Sequence, residues 1–367
     1  MRLFRSKRPR TLFFFHETSW SGAPIQLLHL VTWLKSKGWD VAAAVPREST
    51  SESGPISACL TTLGVEVFPV LDLSALPDFP ILRELCQRFD VIVANTLTMW
   101  AAVRAAHDTG TPSVWYIHES LVARQLIEQL VEIQSTLPLA QLLVMPTQRT
   151  ARIYDAYVDR PIEVVPYGIP ALPLRPARSA SDHLTFLLLG TYEPRKGQDL
   201  FLEAIAQLSR ALSENSRFQM AGRKLSPDFF AQLERRAVDL PSVKLGDALE
   251  HKEAGEAIAA ADVLVCASRD ETMPVAILEA MSLGKVIVTT DVGGISEWLR
   301  DGINALVVRS EDPAALSEAL QRCLTDPALR ARLGKGAQRT FAKDFSIDRL
   351  GKTFSRLIKA AAQTGRQ

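Results

Sequence analysis

The chain holds 367 residues, 47% of them hydrophobic, with 42 Lys+Arg against 41 Asp+Glu and a formal net charge of +1. At roughly 100–200 residues per domain, this length predicts two domains, each long enough to bury its own core. Divided at Pro170, both parts stay near neutral, which excludes a broad nucleic-acid footprint and an acidic disordered tail, so any phosphate must be gripped locally.

The first ten residues carry Arg2, Arg5, Lys7, Arg8 and Arg10, followed by the apolar run Leu12 to Phe15. That run is shorter than a secretory core of about 7–15 residues or a membrane span of about 20. The basic start reads either as a solvated tail or as a weak peripheral grip on anionic lipid headgroups. Cys59, Cys86, Cys266 and Cys323 lie far apart, with no C-x-x-C and no nearby His pair. Neither a zinc site nor a disulfide framework is expected, and a reducing cytosol suits them.

Short apolar runs then alternate with helix-length amphipathic stretches along the whole chain. Strands are predicted at Thr11–Phe15, Val41–Val45, Val65–Pro69, Val91–Ala94, Ser113–Ile117, Leu142–Met145 and Ile162–Val165. A second series covers Thr185–Leu189, Phe218–Ala221, Val243–Leu245, Val263–Cys266, Val286–Thr290 and Ala305–Val308. Most are continuous aliphatic runs, the pattern of parallel strands covered on both faces. Helical stretches such as Ile25–Lys37 and Leu200–Leu212 separate them. The result is an α/β pattern of doubly wound parallel sheets, played twice.

Between Pro166 and Asp182 the sequence PYGIPALPLRPARSASD holds four prolines in 17 residues and no apolar period. Proline blocks helices and central strands, so this is read as an interdomain linker. Ligands of open α/β sheets bind beyond the carboxyl ends of the strands, and the expected site is a cleft between the two domains.

Four segments carry candidate chemistry. In ASRDETMPVAILEAMSLGKVIVTTDVGGISEWL, a strand ends in a loop with Asp270 and Glu271, and Pro274 stands where the helix Val275–Leu283 begins. The free N–H groups of that helix start form a phosphate site. Glu279 lies eight residues beyond Glu271; both carboxylates can accept pairs of sugar or ribose hydroxyls. The alternative is that Glu271 caps the helix and Glu279 is an ordinary surface residue. In LLLGTYEPRKGQDLFLEAI, Arg195 and Lys196 flank another helix start and suit a diphosphate, without the spacing of a P-loop. The alternative there is a basic surface turn. The small-residue turn in HETSWSGAPIQLLHL lets a ligand approach the backbone at Gly22, and the absence of G-x-G-x-x-G leaves a dinucleotide cofactor unsupported. WYIHES places His118 and Glu119 at the carboxyl end of a strand, where a hydrogen-bonded structural His is the alternative to a catalytic one. No Asp-x-Asp occurs, so protein cations and helix dipoles must neutralise any diphosphate.

Together these segments resemble the family 4 retaining glycosyltransferases of the GT-B fold. Glu271 and Glu279 match an E-x7-E motif set in S-R-x-E-x-x-P-x-x-x-L-E-A-M; Val286 to Glu297 is similar to a strand followed by D-x-G-G-x-x-E. Asp301 to Leu306 is similar to D-G-x-N-G-x-L with Ala305 in place of glycine, and VVPYGI to V-x-P-N-G-I. The resemblance implies a GT-B fold of two Rossmann-like domains facing a cleft. Residues 1–170 would form the acceptor side, with a C-terminal helix at about 346–367 packed back on it. Residues 171–183 would be the linker, and 184–345 the nucleotide-sugar domain.

It further implies that Glu279 accepts ribose hydroxyls and Glu271 binds the donor sugar. The backbone of Met273, Pro274 and Val275, with Lys196, would hold the diphosphate. His118 would sit over the sugar near the reacting carbon, and Gly22 would approach the phosphates. The diphosphate arginine that the family places five residues before the lysine is Thr191 here; either Arg195 replaces it or the pocket depends more on Lys196 and the helix amides. The G-G-A-E loop reads Ser21-Gly22-Ala23-Pro24, which alters acceptor contacts.

The implied activity is transfer of a hexosyl group from a nucleotide-diphosphate sugar to a glycan or lipid-linked acceptor. Configuration would be retained, with no metal or other cofactor and no nucleic acid, in surface-glycan or glycolipid assembly; the expected place is the cytoplasm, either free or peripheral at the cytoplasmic face of the inner membrane. The alternatives are a catalytically silent nucleotide-sugar-binding protein and a sugar-nucleotide epimerase; no motif marks the pyridoxal-phosphate lysine of a phosphorylase. A two-carboxylate hydrolase needs acids about 5 Å or 6.5–9.5 Å apart, and eight residues of loop and helix place these nearer about 12 Å.

Overall fold

The computed structural model describes residues 8–47, 54–70, 79–173 and 183–364. Arg2, Arg5 and Lys7 of the basic start, and residues 174–182 of the expected linker, lie outside them. The chain divides into two compact units, residues 1–170 with 347–367 (unit 1) and 171–346 (unit 2).

The strands of unit 1 are β1 (Thr11–Phe14), β2 (Val41–Pro46), β3 (Glu66–Val70), β4 (Val91–Asn95), β5 (Ser113–Tyr116), β6 (Leu142–Met145) and β7 (Glu163–Val164). They lie in the order β3-β2-β1-β4-β5-β6-β7, every neighbouring pair parallel. Unit 2 contains β8 (Leu184–Leu189), β9 (Ser216–Ala221), β10 (Val243–Gly246), β11 (Val263–Cys266), β12 (Val286–Thr290) and β13 (Leu306–Val308). Their order is β10-β9-β8-β11-β12-β13, again all parallel. Both sheets therefore run outward from their first strand in one direction and then reverse, with the reversal between β1 and β4 and between β8 and β11. In doubly wound folds the loops at that reversal part and leave a crevice at the carboxyl edge.

Burial explains the apolar runs. β1, β4, β5, β11 and β12 are buried along their whole length. In unit 1, Leu12, Phe14, Ile92 and Trp115 pack beneath Ala101 and Ala105 of the helix Trp100–Asp108, whose small side chains allow close helix–sheet approach. In unit 2 the rings of Phe186 and Phe218 stack at 5.0 Å, with Phe201 edge-on to Phe218. Each such buried ring contributes about 1.5–3 kcal/mol.

The strand ends agree with the apolar runs to within two residues, and one helix does not. The stretch Leu200–Leu212 breaks into helices Gln198–Ala206 and Arg210–Glu214. Leu208 turns into the core and the Ser209 carbonyl receives the first N–H groups of the second helix, those of Leu212 and Ser213. A serine at that place starts a helix more readily than it continues one. The helix expected from Ile25 already begins at Gly22.

The last helix, Ile347–Thr364, packs on unit 1. The Ile347 N–H bonds the Ile169 carbonyl at 3.1 Å, Trp33 Nε1 donates to Asp348 at 2.6 Å, and the Phe354 ring lies 4.8 Å from that of Tyr116. Gly351 faces the Trp33 ring so closely that an added Cβ would stand 2.2 Å from it. Overpacking of this kind costs about 1–3 kcal/mol. Gly351→Ala is expected to lower unfolding stability by that amount in urea titrations; an unchanged midpoint would show that the helix seats without this contact.

Candidate functional site

In unit 2 the loops on both sides of the reversal carry charge. After β8, Pro194–Lys196 forms one 3-10 turn and Gly197, at φ +69°, opens the helix Gln198–Ala206. Only glycine fits there, because a Cβ would stand 1.9 Å from the Ala267 carbonyl oxygen of the loop after β11. That approach brings Lys196 to Glu271: Nζ donates to Oε1, which also accepts from Ser268 Oγ at 3.1 Å. Arg195 Nη1 stands 3.9 Å from the same oxygen, and Nη2 donates at 2.9 Å to Glu193, which also accepts from Thr191 Oγ1 at 2.7 Å. Glu271 is only 9% exposed. The carboxylate of this pair is nearly out of water while Lys196 keeps 20% of its side chain exposed, so removing the cation leaves a largely buried charge uncompensated. Lys196 and Arg195 are thus tied to an acidic partner and do not form a loose basic turn.

Glu271 does not cap the following helix either. Pro274 is the N-cap residue of Val275–Ser282 and makes no side-chain cap bond, so the amino end of this helix keeps its free N–H groups at the carboxyl edge of the sheet. The loop after β12 presses on the same place. Gly293 has φ +53°, an added Cβ would overlap the Glu271 carbonyl oxygen at 1.3 Å, and the Gly294 N–H bonds the Thr272 carbonyl at 3.0 Å. Glu279 is 7% exposed on the second turn of the helix, not on the surface, and burial pushes its carboxyl up to about 7. No salt bridge to Glu279 occurs among the described residues, and a perturbed buried acid at a sheet edge marks a candidate site.

One residue that charge and spacing leave unmarked organises the site. The Arg269 N–H bonds the Arg195 carbonyl at 2.7 Å, and its guanidinium reaches the Pro194 carbonyl, both oxygens of Asp199 at 2.8 Å, and Glu311. It fastens the Lys196 turn to the Glu271 loop. Glu311 holds φ +60°, one of two non-glycine residues with positive φ among those described. The legible signal was the arginine inside S-R-x-E.

In unit 1 the residues around the reversal are largely neutral. His16 and Glu17 follow β1, Asn95 ends β4, and His118 and Glu119 follow β5. Thr96, the other residue with positive φ (75°), is held by its own N–H to the Tyr116 carbonyl at 2.8 Å and by Trp115 Nε1 to its carbonyl at 2.7 Å. His118 is buried. Its Nε2 lies 2.5 Å from Asn95 Oδ1 and its Nδ1 2.8 Å from the Tyr167 hydroxyl. With an amide oxygen at Nε2, that nitrogen carries the proton and Nδ1 accepts from Tyr167. Burial pushes the imidazole down to about 3, so it is neutral. The Glu119 carboxylate receives the N–H groups of Leu97 (3.0 Å) and His118 (3.1 Å). Tyr167, the residue standing in the asparagine position of V-x-P-N-G-I, is therefore the partner that orients His118, a role its sequence position alone did not reveal.

Thr191, Arg195, Lys196, Glu271, Met273, Pro274, Val275 and Glu279 gather on unit 2, whereas Gly22, the first residue of the helix Gly22–Ser36, and His118 belong to unit 1.

Residues 20–171 match the family model described as Glycosyltransferase Family 4, and residues 183–326 the model described as Glycosyl transferases group 1. The D-inositol 3-phosphate glycosyltransferase of Acidothermus cellulolyticus is 32% identical over 222 residues, 54% of this chain and 48% of that protein. The alpha-D-kanosaminyltransferase of Streptomyces kanamyceticus is 27% identical over 179 residues, 48% and 46% of the two chains. The chain spans about half the length of the curated relatives it matches. Among solved structures, Anabaena Alr3699/HepE in complex with UDP-glucose has a TM-score of 0.82 at 17% identity, over 96% of this chain and all of that one. Sucrose-phosphate synthase from Thermosynechococcus elongatus has a TM-score of 0.77 at 17% identity, over 95% and 98%. With the two family models matched in order along the chain and both parallel sheets built on the same reversal, the chain belongs to the family 4 glycosyltransferases of the GT-B fold.

Proposed function

We propose that this protein is a retaining, metal-independent glycosyltransferase. It moves a hexosyl group from a nucleotide-diphosphate sugar to an acceptor hydroxyl, in surface-glycan or glycolipid assembly. The observation that carries this reading is the buried Lys196–Glu271 pair beside a free helix amino end, at the reversal of the unit 2 sheet. The binding of UDP-glucose by the Anabaena structure supports a donor of the same kind.

In this reading the pair is exchanged when donor arrives. Lys196 turns from Glu271 to the diphosphate, Arg195 joins it, and the released Glu271 carboxylate accepts hydroxyls of the sugar. The N–H groups at Met273 and Val275 and the helix dipole hold phosphate oxygens, while Pro274 shapes the turn. Glu279 loses its proton and accepts two ribose hydroxyls, so the cost of burying its charge is offset by the ligand. Thr191 orders Glu193 and through it Arg195. These cations and dipoles supply the charge that a metal provides elsewhere, which is the basis for proposing metal independence. Such preorganised donors are each worth about 2.7–4 kcal/mol at the transition state.

The bond between the anomeric carbon and the diphosphate oxygen breaks and its electron pair leaves with the nucleotide. An acceptor oxygen then bonds the same carbon on the same face, and its proton passes to the departing phosphate. No carboxylate nucleophile is needed. His118, neutral with both nitrogens engaged, acts as a hydrogen-bonding and shape-giving group and not as an acid or base. Gly22 gives unit 1 a close backbone approach to the ligand.

Three outcomes test this. In a thermal-shift screen of UDP-, GDP- and ADP-sugars, one nucleotide sugar is expected to raise Tm equally with and without Mg²⁺; no shift with any would end the proposal, and a Mg²⁺-dependent shift would end metal independence. Lys196→Met is expected to lower kcat/KM at least 100-fold and also stability, since Glu271 is left uncompensated. Adding Glu271→Gln to that variant should restore Tm without restoring turnover, whereas recovery of both would make the pair merely structural.

The third concerns Glu279. Its folded pKa of about 7 lies above the ordinary 4.5, so ionisation costs stability that is intact below pH 4.5 and is lost progressively as pH rises to 7. Glu279→Gln should therefore melt higher than the unsubstituted chain at pH 8, with the gap closing by pH 4.5. Nucleotide affinity by calorimetry should rise through pH 7 in the original and stay weak and flat in the variant; equal affinities would remove Glu279 from the donor site.

A further inference from the structure

Unit 1 has the same reversal as unit 2 with different chemistry around it. Glu17, just past β1, keeps 40% of its side chain exposed. Its Oε2 accepts from Ser19 Oγ at 2.9 Å, its Oε1 from Ser21 Oγ, and His16 Nε2 stands 3.4 Å from Oε1. Hydrogen bonding from His16, opposed by burial and aided by the two serines, holds the carboxyl down at about 2, so it is ionised. A carboxylate offers about four lone-pair directions, and these contacts leave room for a ligand hydroxyl.

The loops that leave β1, β4 and β5, residues 15–21, 96–99 and 117–121, contain Glu17 and Glu119 and no Lys or Arg. Arg124, in the first turn of the helix Val122–Gln129 that follows the β5 loop, Arg47 after β2 and Arg149 after β6 lie outside those three loops. A separate observation concerns unpaired groups. Asn95 Nδ2, His16 Nδ1, and both amide atoms of Gln26 in the helix Gly22–Ser36 are buried without a protein partner among the described residues. His118, bonded to Asn95, lies within electrostatic reach of His16. Each unmade bond costs about 1–3 kcal/mol, and such groups persist where a ligand or ordered water completes them.

We infer that the carboxyl edge of unit 1 at β1 and β4 receives an uncharged, polyhydroxylated acceptor, a sugar or polyol without phosphate, and that Glu17 is the group that accepts its hydroxyls. A phosphate placed here would meet an ionised carboxylate with no Lys or Arg in the three loops, whereas hydroxyls meet an acceptor they can serve with charge-assisted strength. Glu17 thus takes up the task left open by Pro24, where the family's loop carries a glutamate. This rests on the glycosyltransferase reading above and adds the acceptor's charge class.

The test compares two pairs of probes, methyl α-glucoside against glucose 6-phosphate and methyl α-mannoside against mannose 6-phosphate. Each is titrated by ligand-observed NMR into the full chain saturated with the nucleotide that the thermal screen selects. At least ten-fold tighter binding of a neutral glycoside than of its phosphate is expected. Glu17→Gln should shrink that ratio at least five-fold and Glu17→Lys should invert it; a ratio is insensitive to any general loss of folded protein. Preference for the phosphates, no binding of either glycoside, or a ratio unmoved by both substitutions would overturn the inference. A chain that binds no nucleotide at all would instead refute the transferase reading, and the two failures are distinguishable.

Discussion

Everything functional in this protein hangs on where its two parallel sheets change direction. A right-handed crossover places each successive strand beside the last until the chain returns to the other side of its starting strand. At that return the loop leaving the first strand and the loop leaving the fourth no longer cover one another. In unit 2 those loops are the ones that carry Lys196 and Glu271; in unit 1 the first carries Glu17 and the second starts from Asn95, the last residue of β4. The side chains differ, but the openings are made by the same backbone rule.

What fills the unit 2 opening is held at a cost in stability. Glu279 is a buried acid without a cation, Glu311 holds a left-handed backbone that glycine would adopt more easily, and Gly197 and Gly293 surrender side chains so that three loops can touch. A non-glycine residue in that region carries about 1–3 kcal/mol of strain. Arg269 offsets part of this through its bidentate bond to Asp199 and its bond to Glu311. The arrangement makes the position of Lys196 a consequence of several rigid neighbours, so the proposed exchange of partners needs only its side chain to turn.

The fold was legible because burial on both faces writes a continuous apolar run: all thirteen runs named from the sequence correspond to strands. The helix break at Leu208 was not, since Leu200–Leu212 keeps an acceptable helical composition and only the core decides that Leu208 turns inward. Glu271, Glu279, Arg195 and Lys196 were legible from the motif that carries them. Their linkage was not, because Arg269 and Glu311 are 42 residues apart in sequence and meet only when β13 lies beside β12. Tyr167, Asn95 and His118 come from three strand ends and leave no local spacing to read. The unsatisfied amides of Asn95 and Gln26 are a property of packing alone.

Net charge, nearly zero over the chain, conceals how differently the two edges are equipped. In unit 2 Arg195, Lys196 and Arg269 each have an acid within reach, so the edge is close to balanced. In unit 1 the edge carries an ionised acid beside an imidazole, among amides and hydroxyls. Since topology is shared, it cannot be what sets the two edges apart; the loops alone make that distinction. Moving a single charge at either reversal should therefore change what that unit binds while leaving its sheet intact.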